Sequence, residues 1–116
     1  MHDLAERLLL YGAEVIKLVD SLPRTLAARR IGDQLLRCSM SVGANYEEAQ
    51  GAESRVDFAH KLQLALKEVR ESNYWLRLLA RAGIVPPERL LKIQDEFNQL
   101  RAILSKSVAT AKGKSK

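Results

Sequence analysis

Residues 58–79 read FAHKLQLALKEVRESNYWLRLL, and their apolar positions recur in alternating steps of four and three. Such spacing places the side chains on one face of an α-helix, where they can pack against a partner helix. The stripe consists of Phe58, Leu62, Ala65, Val69, Ser72, Leu76 and Leu79. A second apolar set lies beside it: Leu64, Leu66, Tyr74, Trp75 and Leu78. This helix is therefore predicted to be central in its domain or buried in an oligomer.

Three further segments repeat the same pattern. Helices are predicted from about Asp3 to Asp20, from Thr25 to Gln50 and from Pro87 to Ala109. The stripe of the first helix is Leu4, Leu8, Tyr11, Val15, Leu18 and Leu22, and it is widened by Leu9, Ile16 and Val19. Asp3 and Ser54 stand where N-capping residues are expected.

Four helices with short connections favour antiparallel packing. The sequence therefore predicts an all-α fold, an up-down-up-down four-helix bundle over residues 1–110. Residues 111–116 are predicted to form a basic disordered tail. The chain has 116 residues, 47% hydrophobic and 28% charged, which suits a single globular domain.

The composition also indicates where in the cell the protein is located. The single cysteine, Cys38, has no partner for an internal disulfide. No stretch resembles a secretory signal or reaches the ~20 apolar residues of a membrane span. A cytoplasmic protein without a membrane partner is predicted.

Candidates for catalysis are few. Asp57 and His60 form one half of the paired motif of a di-iron bundle, but the only other histidine is His2. Cys38 lies on an apolar stripe, where a cysteine usually acts as a small hydrophobe. The sequence predicts a protein that is not an enzyme and that holds no metal or cofactor.

Some polar residues lie at or near the apolar stripes of helices two and three. Asn45 and Ser72 occupy stripe positions, and Glu48 and Glu71 are close to them in sequence. Antiparallel packing could bring Asn45 towards Glu71 or Ser72. Such a cluster would either fix the helix register, as a lone asparagine does in coiled coils, or form a ligand site.

Basic residues give a net charge of +5. The candidates for nucleic-acid binding are Arg29, Arg30, Arg37, Lys106 and Lys112, and the third helix carries Lys61, Lys67, Arg70, Arg77 and Arg81. Arg29, Arg30 and Arg37 are spaced so that they can share one side of helix two. A basic face could neutralise phosphates, or it could simply be solvated, since acids are interleaved with the bases.

Three aromatic residues are candidate anchors of an oligomer interface, namely Tyr46, Tyr74 and Trp75. Large aromatic side chains are favoured at interfaces. The alternative is that they complete the core of the monomer.

The segments Ser41–Ala49, Ser54–Phe58 and Ala65–Leu76 resemble the bacterial 23S rRNA-intervening-sequence protein family. A related group is the accessory variability protein of diversity-generating retroelements, which binds a reverse transcriptase and nucleic acid through a basic surface. The resemblance implies a homopentameric ring of bundles with a nucleic-acid role. Asn45, Glu48 and Glu71 match the family pattern, with no catalytic role implied.

Two functions remain open from the sequence. The first is a non-enzymatic oligomeric bundle that binds structured RNA or DNA through a basic face. The alternative is a protein-interaction scaffold, for example for a reverse transcriptase or a ribosome-associated partner, that makes no direct contact with nucleic acid.

Overall fold

Four α-helices make up almost all of the computed structural model, which describes residues 3–113. The helices are α1 (Leu4–Asp20), α2 (Leu26–Gln50), α3 (Arg55–Arg81) and α4 (Leu91–Ala111). A short 3-10 turn, Pro87–Leu90, precedes α4, so the last α-helix begins four residues later than the sequence predicts. The described residues contain no strand, and the predicted all-α bundle is confirmed.

Side-chain contacts show the relative direction of neighbouring helices, because residue numbers rise along one helix as they fall along the other. Arg37 and Glu48 of α2 pair with Glu71 and Lys61 of α3, respectively. In the same way, Asn73 of α3 accepts a hydrogen bond from Gln94, while Arg55 donates to the carbonyl oxygen of Ala111. Gly32 and Gly43 of α2 lie against Val19 and Leu8 of α1. Each consecutive pair of helices is therefore antiparallel.

The N-termini of α1, α2 and α3 are each capped by a side chain, which pairs one of their free backbone amides. Asp3 Oδ1 accepts from the Glu6 amide at 2.8 Å, and Ser54 Oγ accepts from the Asp57 amide at 3.0 Å, which confirms both predicted caps. Thr25 Oγ1 accepts from the Ala28 amide at 3.2 Å at the start of α2.

The core runs along the inside of the bundle, which measures 46 × 24 × 22 Å. Every stripe residue of α3 except the half-buried Phe58 is at most 2% exposed. Its most extensive packing partner is α2, followed by α4, so α3 is indeed central. The main core residues include Tyr11, Val15, Leu35, Val42, Val69, Leu76, Leu79, Leu100 and Leu104.

The packing of α1 is more open than its sequence suggests. Leu9 and Ile16, expected to widen its buried stripe, are 67% and 43% exposed, so that expectation was wrong. The reason is that both side chains lie farther round α1 than Leu8 and Val19, which pack against α2, so they extend past that helix into solvent. The α1–α4 side is joined by the guanidinium of Arg7, which donates to both carboxylate oxygens of Glu96 at 3.0 and 3.1 Å.

The C-terminal end of the bundle lies close to its predicted limit. Helix α4 ends at Ala111, and Lys112 and Gly113 follow it in a turn. Residues 114–116 of the predicted tail lie outside the described residues. Among residues 3–113, no helix combines the length and the apolar character that crossing a membrane would require.

Two glycines should respond in opposite ways to the same substitution. Gly12 lies inside α1 with no atom within 4 Å of the position of an added Cβ, so Gly12→Ala should raise the free energy of unfolding by about 0.5–1 kcal/mol. Gly83 follows α3 with φ of +73°, a conformation that side chains disfavour. Gly83→Ala should therefore lower the free energy of unfolding by roughly 1–2 kcal/mol. Urea unfolding of both variants would measure the difference, and a loss of stability in Gly12→Ala would contradict the packing of α1.

Candidate nucleic-acid interface

Ser72 forms the one polar contact that crosses the core between α1 and α3 among the described residues. Its Oγ lies 2.6 Å from the Tyr11 hydroxyl, and both residues are at most 1% exposed. Ser72 Oγ also donates to the carbonyl oxygen of Val69 at 2.6 Å, so the proton between the two hydroxyls comes from Tyr11. Burial raises the pKa of Tyr11 to about 12, which keeps this donor protonated.

Asn45 does not join this contact. Its Nδ2 donates to the carbonyl oxygen of Ser41 in its own helix at 2.9 Å, and the side chain is only half-buried. The α2–α3 register places residue 45 level with residues 63 and 64 of α3. Glu71 is thus roughly 10 Å farther along the axis. The expected approach of Asn45 to Glu71 or Ser72 was wrong for this reason.

The motif acids instead bind bases across the α2–α3 groove. Arg37 donates to Glu68 Oε1 at 3.3 Å and to Glu71 Oε2, while Lys61 pairs with Glu48 at 2.9 Å. Glu71 Oε2 also accepts from the indole Nε1 of Trp75 at 3.1 Å. These carboxylates are therefore engaged in joining α2 to α3.

Cys38 lies on the inner side of this region and is fully buried. Burial, and after it the charge of Glu71, raise the pKa of its thiol to about 11. The neutral thiol is a poor nucleophile, because the thiolate is the reactive form. The residue thus acts as a core side chain.

Asp57 and His60 do not assemble a metal site within residues 3–113, where no three ligating side chains come together. His60 is exposed on α3, and His2 lies outside the described residues.

The outer face of α3 is the most uniform charged surface of the described chain. From Lys67 to the end of the helix, its exposed residues are Lys67, Arg70, Tyr74, Arg77 and Arg81, with no acid among them. They follow one another in steps of three and four, which confines them to roughly an 80° arc at 100° per residue. We call these five residues the α3 stripe.

The four cations of the α3 stripe are available for a ligand. Within residues 3–113, none of them forms an ion pair. The two acids in this part of α3, Glu68 and Glu71, turn towards Arg37 of α2. From Lys67 to Arg81 the stripe extends for about 21 Å at 1.5 Å per residue. An extended row of unpaired cations is the arrangement that binds successive phosphates.

The five cations chosen from sequence do not form one surface. Arg30 and Arg37 lie on the same side of α2, seven residues apart, but Arg37 is engaged by Glu68 and Glu71. Arg29 lies about 100° farther round the helix. Lys106 and Lys112 are at the opposite end of the bundle, since the α3–α4 register places residue 106 level with Lys61.

Among these candidates, Arg30 lies level with the C-terminal part of the α3 stripe and is not engaged by an acid of the described residues. The α2–α3 register places it beside the segment that contains Arg77, on the side of α2 that faces α3. The five α3 cations noted in the sequence were thus the better signal, except for Lys61, which pairs with Glu48. Their spacing could have identified the stripe, but only the structure shows that the neighbouring acids turn away.

The aromatic candidates divide into two groups. Tyr46 and Trp75 are partly buried and pack against the core, whereas Tyr74 is 54% exposed on the α3 stripe. The rings of Tyr74 and Trp75 meet edge to face, with centroids 5.0 Å apart and planes at 80°.

A concave surface separate from the α3 stripe lies between α1 and the start of α4, with a volume of about 600 Å³. Its wall carries charges of both signs, with Arg7, Lys17, Arg89 and Lys92 among Glu14, Asp95 and Glu96. A polyanion gains little from such a mixed surface, so the α3 stripe is the stronger candidate.

The comparisons with known proteins agree with this fold. The family model described as 23S rRNA-intervening sequence protein matches residues 5–106. A crystal structure of a protein of unknown function from the S23 ribosomal protein family of Bacteroides thetaiotaomicron VPI-5482 is similar, with a TM-score of 0.82 and 29% identity. The similarity covers 91% of this chain and 98% of that one. No curated protein matches the chain.

The Tyr11–Ser72 contact can be tested by a double-mutant cycle. Tyr11→Phe should lower the free energy of unfolding by about 1 kcal/mol, because the Ser72 hydroxyl keeps its bond to Val69. Ser72→Ala should cost about 1–3 kcal/mol, since the buried Tyr11 hydroxyl then has no acceptor. The double variant should lose less stability than the sum of the losses of the two single variants. Strict additivity in urea unfolding would show that the two hydroxyls do not interact.

Proposed function

Since the chain belongs to the 23S rRNA-intervening sequence protein family, we propose that it is a non-enzymatic, oligomeric protein that binds structured RNA or DNA. The observation that carries this proposal is the α3 stripe, in which four cations and one tyrosine face solvent with no acid among them. We place the nucleic-acid contact on this stripe, extended at its C-terminal end by Arg30 of α2.

Phosphate binding by this surface has a simple electrostatic basis. Nucleic acids release condensed counterions when cations neutralise their phosphates, and this release drives binding that weakens as salt rises. The planar guanidinium groups of Arg70, Arg77 and Arg81 can each hold a phosphate with two parallel hydrogen bonds. Since no carboxylate among the described residues pairs with them, a ligand does not have to displace an internal partner.

We also propose that the oligomer forms through an apolar patch on the α1–α2 side of the bundle. Leu9 and Ile16 are seven residues apart on the flank of α1 that faces α2, and Met40 is 55% exposed on α2 beside the half-buried Leu36. The α1–α2 register, set by Gly43 against Leu8 and Gly32 against Val19, places these four residues at interleaved levels. We call them the α1–α2 patch.

A second copy of the chain is the occupant that we infer for the α1–α2 patch. The resemblance implies a ring, and a ring needs an interface that joins two different faces of the subunit. An exposed apolar group of this kind is where association removes most apolar surface from water. The patch and the α3 stripe lie on different sides of the bundle, so assembly would leave the stripe open.

Removing charge from the stripe should weaken nucleic-acid binding more than removing the same charge elsewhere. The variant Lys67→Ala/Arg70→Ala/Arg77→Ala should lower the slope of log affinity against log salt by about two to three for a duplex, at about 0.9 per phosphate contact. The matched control is Lys92→Ala/Lys106→Ala/Lys112→Ala, which removes three exposed charges from the α4 side. Gel shifts between about 50 and 200 mM salt would measure both.

Equal losses in the two triple variants would mean that net charge, and not the stripe, attracts the ligand. Wild-type affinity in the stripe variant, or no binding by the wild type at about 50 mM salt, would favour the alternative of a protein-interaction scaffold.

Charge placed in the α1–α2 patch should prevent assembly. In Leu9→Asp/Met40→Asp, two carboxylates would have to be desolvated at the interface, so the mass in solution should fall to the 13.0 kDa of one chain. The control Val56→Asp/Leu91→Asp changes two side chains that are 81% and 65% exposed elsewhere and should keep the wild-type mass. Light scattering would decide this; a wild type of 13.0 kDa, or an unchanged patch variant, would contradict the proposed interface.

A further inference from the structure

Tyr74 is an exposed aromatic residue in the middle of a row of cations. Lys67 and Arg70 precede it on the α3 stripe, and Arg77 and Arg81 follow it. At 1.5 Å per residue, Arg70 lies about 6 Å to one side along the axis and Arg77 about 4.5 Å to the other. More than half of the tyrosine surface, 54%, is accessible to solvent. Tyr74 is not among the residues that form or flank the hydrophobic core.

The ring of Tyr74 is held in place by a chain of contacts that leads into the bundle. It meets the Trp75 ring edge to face, with centroids 5.0 Å apart. Trp75 packs against the core and donates its indole proton to Glu71 Oε2, which also binds Arg37. The support of Tyr74 is therefore anchored to both α2 and α3.

The edge-to-face geometry leaves stacking surface on Tyr74. With the two planes at 80°, Trp75 can cover at most one face of the tyrosine ring, and at least one face is left uncovered by it. A flat aromatic face in reach of unpaired cations on both sides is the arrangement that receives a nucleobase, while the cations hold the neighbouring phosphates.

We propose that Tyr74 is a stacking platform for an unpaired base, so that the ligand of the α3 stripe is nucleic acid with single-stranded residues, such as a loop, bulge or free strand. A base inside a duplex is stacked on its neighbours and cannot present its face to the ring. This inference rests on the proposed function and makes it specific, because a row of cations alone would also accept a fully paired helix.

The test compares an unstructured RNA strand of about 12 nucleotides with the same strand annealed to its complement, using the full chain and fluorescence anisotropy of labelled RNA. Tyr74→Ala should lower the affinity for the single strand roughly five- to 150-fold, since a stacked base contributes about 1–3 kcal/mol. Its affinity for the duplex should change less than about twofold. Tyr74→Phe keeps the ring and should bind the single strand like the wild type.

The outcomes separate this inference from the proposal on which it rests. If Lys67→Ala/Arg70→Ala/Arg77→Ala weakens binding of both RNAs but Tyr74→Ala binds each like the wild type, the stripe is a phosphate site and the stacking platform is refuted. If the charge variant binds both RNAs normally, the proposed function itself fails. A fall in solution mass of Tyr74→Ala would identify Tyr74 as a subunit contact and would also overturn the inference.

Discussion

The antiparallel packing of α2 on α3 in a single register determines the rest of the molecule. It forms the largest helix–helix contact, and both helices bury small side chains, such as Ala65 and Cys38. The same register brings Arg37 to Glu68 and Glu71, and Lys61 to Glu48. Because these acids are turned into the groove between the helices, the exposed charges of the α3 stripe are all bases. The surface chemistry of the protein is thus a consequence of how two helices are aligned.

Most of the fold could be predicted from sequence because its signals are local. Each stripe is a spacing within one helix, and each N-cap is a side chain three residues from the amide that it accepts from. What the sequence could not supply was the alignment of one helix against another. Asn45 and Glu71 both match the family pattern, yet they are at different levels of the bundle, and nothing in either helix alone reveals that offset. The Tyr11–Ser72 contact was missed for the same reason: its partners are 61 residues apart in the chain.

The sequence predicted the environment of the apolar and charged surface residues less well than it predicted the helices. Leu9 and Ile16 have the spacing of core residues, but they lie beyond the line along which α1 packs on α2, and spacing alone cannot show where that contact ends. Arg37 and Arg70 are both bases on polar helix faces, yet one is engaged by two carboxylates and the other by none within the described residues. Charge composition therefore gives the number of cations, while the position of the acids decides which of them a polyanion can use.

A net charge of +5 is modest for a nucleic-acid-binding protein, but the net value is a poor guide when charges are sorted by face. Charges beyond about 10 Å are largely screened at 0.1 M ionic strength, so a bound phosphate responds mainly to the groups nearest to it. On the α3 stripe the exposed charged groups are bases, and the nearby Glu68 and Glu71 are already paired with Arg37. If copies of the chain associate through the α1–α2 patch, each adds another stripe to the same particle. A strand that dissociates from one stripe then remains at high local concentration near the next, so that weak individual contacts combine into stable binding.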